Sequence, residues 1–212
     1  MTPRTGGSEL IVFGREPRPG QVKTRLIPAL GWQGAARLYR ALLEQTLDVG
    51  RQVGVDRYSL WLDVDSPESA IRRLAESLGF AVRAQSGETL GERMAYAFAD
   101  ALPTPGRAVL IGSDCPGYST DYLERAFTEL DQHDAVLGPA TDGGYVLIGT
   151  RQPDASVFND IDWSTDRVIE QTRSRLRGLG WRWSELTALR DIDEPQDLRH
   201  LQANLKDLIE SR

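Results

Sequence analysis

The alternation of strand-like apolar runs with helical patterns along the chain predicts an α/β domain with a largely parallel sheet. Two further observations support that class. Ala35, Leu38, Tyr39, Leu42, Leu43 and Leu47 recur at helical spacing and form one apolar stripe, as expected of a helix packed on a sheet. The 212 residues are 40% apolar, enough for one substantial core, so residues 1–212 are expected to form a single domain, with residues 1–8 a flexible N-terminal segment.

Each element follows from its local chemistry. Leu10 to Phe13 is the first strand and Trp32 to Val53 the long helix. Tyr58 to Leu62 is a second strand. A second helix runs from Pro67 to Leu78, with Pro67 at its start and Gly79 closing it. Phe80 to Ala84 is a third strand and Thr89 to Leu102 a helix. The turn Pro103-Thr104-Pro105-Gly106 then delivers the chain into Ala108 to Ile111, expected to lie centrally in the sheet. Ser119 or Thr120 caps a helix carrying Tyr122, Leu123, Ala126, Phe127 and Leu130 on one face. Ala135 to Leu137 and Tyr145 to Ile148 are further strands. Helices at about Thr165 to Leu179 and Pro195 to Ile209 flank the segment Trp181 to Leu186.

Composition narrows the function. A net charge of -6, with basic and acidic residues interspersed, argues against broad nucleic-acid binding. The apolar runs are too short to span a bilayer and the first eight residues lack the hydrophobic segment of a signal peptide, so a cytoplasmic protein is expected, with no membrane partner. The single cysteine, Cys115, excludes an internal disulfide and agrees with a reducing compartment. His133 and His200 have no partners at zinc-type spacing, and no Gly-x-Ser-x-Gly elbow occurs.

Against the acidic background, Arg15, Arg18, Lys23 and Arg25 gather in the loop after the first strand, which Gly14, Pro17, Pro19 and Gly20 keep irregular. A solvated loop is one account of this local reversal of charge and an anion site the other. It is no Walker loop: five residues separate Gly14 from Gly20, and Lys23-Thr24 follows two residues late. Side chains would therefore carry much of the phosphate binding.

Asp114, in Gly112-Ser113-Asp114-Cys115-Pro116, lies just past a strand end, where open α/β sheets bind ligands. It is either a turn cap or a metal ligand, and the basic loop favours the second. Asp193 precedes the last predicted helix in Asp191-Ile192-Asp193-Glu194-Pro195, whereas Glu194 and Asp197 are explained by the helix dipole. Asp114 and Asp193 would leave several positions on Mg²⁺, or Mn²⁺, for phosphate oxygens and water. In Thr141-Asp142-Gly143-Gly144-Tyr145 an ordinary hairpin turn competes with an acceptor site in which Asp142 orients or deprotonates the acceptor, Gly143 and Gly144 admit it and Tyr145 packs against it. Arg93 is either a surface residue at an ordinary helix start or a contact for an anion or nucleoside.

Lys23-Thr24-Arg25-Leu26, Leu90-Gly91-Glu92-Arg93-Met94, Gly112 to Pro116, Gly138 to Tyr145, Trp163-Ser164-Thr165 and Asp191 to Leu198 occur in an order that resembles the DUF2064 family of glycosyltransferase-A-like proteins, from about Leu10 to Leu201. The resemblance implies the nucleotide-diphospho-sugar transferase fold: a single GT-A-like α/β domain with a mostly parallel sheet flanked by helices. More distantly, the Lys-Thr-Arg-Leu loop is similar to that of 2-phospholactate guanylyltransferases, and the Asp193 segment to the end of cytidylyltransferases that activate sugar acids. Those likenesses imply phosphate contacts at Lys23 and Arg25 and metal contacts at Asp114 and Asp193. The chain departs from the pattern in having Ser113-Asp114-Cys115-Pro116 where such glycosyltransferases have Asp-x-Asp, and Glu194 where related nucleotidyltransferases have Thr.

The function expected is therefore Mg²⁺-dependent transfer from a nucleotide donor. Nucleotidyl transfer from a nucleoside triphosphate to a small phosphorylated or carboxylated acceptor comes first, because the loop is more cationic than a diphosphate needs. Lys23, Arg25 and Asp114 would be catalytic, with Arg15, Arg18 and Arg93 helping to bind the nucleotide. Glycosyl transfer from a nucleotide sugar is the alternative, and a non-catalytic nucleotide sensor a third. The sequence leaves the base, the acceptor and the oligomeric state open.

Overall fold

The computed structural model describes residues 6–64, 66–104, 106–201 and 205. Its strands are β1 (Ser8–Gly14), β2 (Arg57–Leu62), β3 (Ala81–Ala84), β4 (Arg107–Gly112), β5 (Ala135–Pro139), β6 (Tyr145–Thr150) and β7 (Trp183–Glu185). They form one seven-stranded sheet in the order β3-β2-β1-β4-β6-β5-β7. All neighbours are parallel except β6, which runs antiparallel to both β4 and β5. The five-residue connection between β5 and β6 is too short for a crossover, so it can only make a hairpin.

The helices α1 (Ile27–Gly50), α2 (Ala70–Ser77), α3 (Leu90–Ala101), α4 (Thr120–Glu129) and α5 (Val168–Gly178) cover the sheet. Strand residues alternate between two cores: Leu10, Val12, Val109 and Ile111 pack with α1 and α4. Ile11, Phe13, Ala108 and Leu110 pack on the opposite face with α3 and α5. Both faces are thus buried, as a largely parallel sheet requires. A third cluster joins Leu26, Leu38 and Leu42 to Ile192, Leu201 and Leu205. No helix among the described residues is long and apolar enough to cross a membrane.

Boundaries differ from expectation for local reasons. Ser8, assigned by sequence to a flexible segment, opens β1 and is 4% exposed, while residues 1–5 lie outside the described residues. Gly31, at φ 68°, breaks α1 so that its straight part begins at the expected Trp32. The helix expected from Pro67 begins instead at Ala70, because the Ser69 side chain accepts from the N–H groups of Ile71 and Arg72 and caps it. The last predicted helix is a 3-10 turn over Pro195–His200, and the remainder of that prediction, apart from Leu201 and Leu205, lies outside the described residues.

The chain runs outward from β1 to β2 and β3, then returns to place β4 on the other side of β1. Loops leaving β1 and β4 therefore diverge at their carboxyl ends and open a crevice there, the usual ligand position in such sheets.

Candidate active site

A cleft of about 610 Å³ occupies that crevice. Phe13, Gly14 and Arg15 line it from the end of β1, Gly112, Ser113 and Asp114 from the end of β4, and Asp63 and Gln85 from the ends of β2 and β3. Lys23, Tyr39, Leu90, Arg93, Ser164 and Asp193 complete its walls with Val22.

Lys23 is the centre of the charge arrangement. Val22, 1% exposed, anchors the loop, and Lys23 then adopts left-handed backbone angles (φ 47°) ahead of the 3-10 turn Thr24–Leu26. Its Nζ donates to Asp114 Oδ2 at 2.9 Å and lies 3.5 Å from Asp193 Oδ1. Burial works to discharge this amine. The ion pair and hydrogen bond with Asp114, reinforced by Asp193 and Asp191, outweigh burial and hold the pKa above the ordinary lysine value. Arg25 pairs with the other Asp193 oxygen from the open side.

The sequence-distant Asp193 arrives by packing. Ile192, fully buried, sits in the cluster with Leu26 and Leu38, and its N–H donates to the Asp114 carbonyl at 3.0 Å. Asp197 accepts from the backbone N–H groups of Asp193 and Glu194 at 3.2 and 2.8 Å, which fixes the entry to the 3-10 turn. Asp191, on the other side of Ile192, was not singled out by sequence. Burial first, then the fields of Asp114 and Asp142, push its carboxyl up to about 6 despite Lys23. The carboxylates thus crowd around a single ammonium.

The remaining predicted residues are placed as follows. Arg15 Nε pairs with Asp63 Oδ2 at 3.1 Å, while Arg18 turns to Ser66 Oγ at 3.3 Å and does not line the cleft. Arg93 lines it, with Nε donating to the Gly87 carbonyl at 3.0 Å. The Thr89 and Glu92 side chains form a capping box at that helix start. Asp142 accepts from the Gly144 N–H at 3.0 Å, so the hairpin-turn role is realised. At Gly143 (φ 94°) a Cβ would come within 2.3 Å of the Asp166 carbonyl oxygen, so this glycine is required by the close approach of the next loop. Tyr145 is packed edge-on against Trp163, its hydroxyl facing Met94 Sδ at 3.8 Å, and burial pushes its pKa far up. Asp142, Gly143, Gly144 and Tyr145 are not among the residues lining the cleft. The Cys115 thiol, raised to about 12 by burial, is inert at neutral pH.

Two residues missed by sequence reasoning tie the walls together. Tyr39, counted there as part of an apolar stripe, places its hydroxyl 2.7 Å from both the Arg15 N–H and Ser113 Oγ. Gln85 donates from Nε2 to the carbonyls of Gly14 and Trp61 at 3.0 and 2.9 Å. A polar residue at a strand end was the available signal for Gln85; nothing in the pattern marked Tyr39.

The cleft has no net charge surplus: Arg15, Lys23 and Arg93 face Asp63, Asp114 and Asp193. Among the described residues no three His, Cys, Asp or Glu side chains gather as a metal site. Asp114 and Asp193 nevertheless converge on one cation, the Lys23 ammonium, and are partly exposed, so as hard oxygen donors they fit Mg²⁺ or Mn²⁺ with further ligands from outside the protein.

The family model described as "Uncharacterized protein conserved in bacteria (DUF2064)" matches residues 46–165. A 2-phospho-L-lactate guanylyltransferase of Halomicrobium mukohataei is 31% identical over 182 residues, which cover 83% of this chain and 77% of that protein. Among solved structures, a Desulfovibrio desulfuricans G20 protein provisionally named a nucleotide-diphospho-sugar transferase superposes with a TM-score of 0.84 at 32% identity, over 96% of this chain and 89% of the other. The 4-diphosphocytidyl-2C-methyl-D-erythritol synthase of Anaerococcus prevotii DSM 20548 shares the fold at 12% identity, with a TM-score of 0.64 over 95% of this chain and 96% of the other.

Proposed function

The chain belongs to the DUF2064 family and has the GT-A-like transferase fold, and on that premise we propose that it is a nucleotidyltransferase. It would move a nucleoside monophosphate from a triphosphate donor to a small phosphorylated or carboxylated acceptor. The observation that carries this reading is the buried Lys23 ammonium at the mouth of the sheet's crevice, kept charged by Asp114 and Asp193. The guanylyltransferase relative makes GTP the first donor to try and 2-phospho-L-lactate the first acceptor.

In this reading an acceptor oxygen attacks the α-phosphorus, a new P–O bond forms, and the bond to the β-phosphate breaks to release pyrophosphate. Lys23 neutralises charge on the leaving group, while Arg15 and Arg25 hold its outer oxygens from the open side. Arg93 contacts the nucleotide from the α3 side, and the Asp142 to Tyr145 turn, which does not line the cleft, takes no part in the step. A bound Mg²⁺ or Mn²⁺ supplies neutralisation of phosphate charge, and Asp114 and Asp193 are the residues that would hold it. The charge balance of the cleft supports that need, because a triphosphate finds no net positive charge waiting.

The D. desulfuricans protein favours a second reading, glycosyl transfer from a nucleotide sugar. The two separate by product. With Mg²⁺, each nucleoside triphosphate and a panel of phosphorylated acceptors, pyrophosphate release is expected; sugar-nucleotide consumption with nucleoside diphosphate release would instead establish the second. Asp114→Asn is expected to lower turnover by about 100-fold or more in a protein that remains folded though less stable, since Lys23 loses its main partner, and full activity in that variant would remove Asp114 from the mechanism.

A further inference from the structure

Counting protons around Tyr39 assigns a role to Ser113. The Tyr39 hydroxyl accepts from the Arg15 N–H at 2.7 Å and lies 2.7 Å from Ser113 Oγ. Tyr39 and Ser113 are only 4% exposed. Were Ser113 the donor between them, the phenol oxygen, a weaker acceptor than an alcohol and already bonded to the Arg15 N–H, would have to accept twice, and the more acidic phenol proton would be the one left without a protein partner. Tyr39 therefore donates to Ser113 Oγ. The Ser113 proton then has no acceptor among the described residues, while the residue lines the cleft beside Lys23 and Asp114.

We propose that Ser113 is a ligand-binding residue whose hydroxyl proton Tyr39 directs at a phosphate oxygen. The ligand group must accept and need not donate, and it must suit a wall shared with Arg15 and Lys23; a phosphate oxygen meets both conditions. Tyr39 is the positioning residue. This inference rests on the phosphate-site reading above and assigns within it a contact that neither sequence motif nor charge identified. The oxygen belongs to the donor or to the acceptor's phosphate, and the two are separable by probe.

Calorimetric titration of the full chain with inorganic pyrophosphate and Mg²⁺, and separately with 2-phospho-L-lactate, tests it, with melting curves confirming that each variant is folded. Ser113→Ala is expected to weaken one probe about tenfold, as for a lost hydrogen bond to a charged group. Loss confined to pyrophosphate assigns the donor, and loss confined to 2-phospho-L-lactate the acceptor. Tyr39→Phe is expected to cost about threefold when Ser113 is present and less in the Ser113→Ala background, since it acts through that hydroxyl. A merely structural tyrosine would cost the same in both. Unchanged affinity for both probes in Ser113→Ala, while Lys23→Met loses binding, would overturn this assignment and leave the phosphate site standing. No binding by the wild-type protein, or no loss in Lys23→Met, would overturn both.

Discussion

Lys23 illustrates how a single side chain acquires chemistry from two remote segments. Its left-handed backbone turns it inward from the loop after β1, Asp114 meets it from the end of β4, and Asp193 from the segment leading into the 3-10 turn Pro195–His200. Residue types and charge singled out Lys23, Arg25, Asp114 and Asp193 in the sequence as candidates, the first two in a basic loop after the first strand, Asp114 past a strand end and Asp193 ahead of the last predicted helix. A shared metal implied that the two aspartates converge, but their direct ion pairing with Lys23 was not legible, since it depends on the seating of Ile192 against Leu26 and Leu38. Tyr39 was hidden by its amphipathic character: the ring satisfies the helical stripe, and only its buried hydroxyl shows a second role. Replacing Lys23 by Met keeps the length and deletes the charge. GTP affinity, measured calorimetrically with Mg²⁺, is expected to fall about 10- to 100-fold through loss of one charge-assisted contact. An unchanged affinity would place the phosphates elsewhere.

At the scale of elements, apolar periodicity located every strand from β1 to β6 and the bodies of α1 to α5, because packing on a sheet imposes it. The ends were set by hydrogen bonds that periodicity does not carry, as with Ser69 in place of Pro67 at α2. β7 is a weak strand held by a charge clamp: Arg173 of α5 donates to Glu185 at 2.8 and 2.7 Å and reaches Glu170 at 3.0 Å. Hydrogen bonding from Arg173 lowers the Glu185 pKa below the ordinary carboxylate value. A depressed carboxylate contributes stability above its unfolded value near 4.5, and loses it as pH falls through the folded value. Solvent limits such a pair to roughly 1 kcal/mol or less. Glu185→Gln is therefore expected to lower the thermal midpoint by a few °C at most at pH 7, with the difference shrinking as pH falls below the unfolded value and through the lowered folded one. An offset independent of pH would show that packing, not charge, holds β7.

For the whole molecule, the fold class was legible because alternating β and α patterns admit few topologies, and the switch point between β1 and β4 follows from the strand order. The antiparallel β6 and the third core cluster were less so. That cluster is what brings Asp193 to the cleft, since Ile192 separates two aspartates and is itself fully buried. Ile192→Ala is expected to cost about 2–5 kcal/mol and also to weaken GTP binding, measured below the melting range, by displacing Asp193 from Lys23. Wild-type GTP affinity in a destabilised but folded variant would mean that the cluster serves stability alone.

Transfer of a nucleotide from its α-phosphate can be followed by the position of a label. With GTP labelled at the α-phosphorus, Mg²⁺ and 2-phospho-L-lactate, or another acceptor drawn from the phosphorylated panel, the label is predicted to appear in the acceptor adduct while unlabelled pyrophosphate accumulates in equal amount. Label retained in GTP with every acceptor, or released as labelled GDP, would contradict the account.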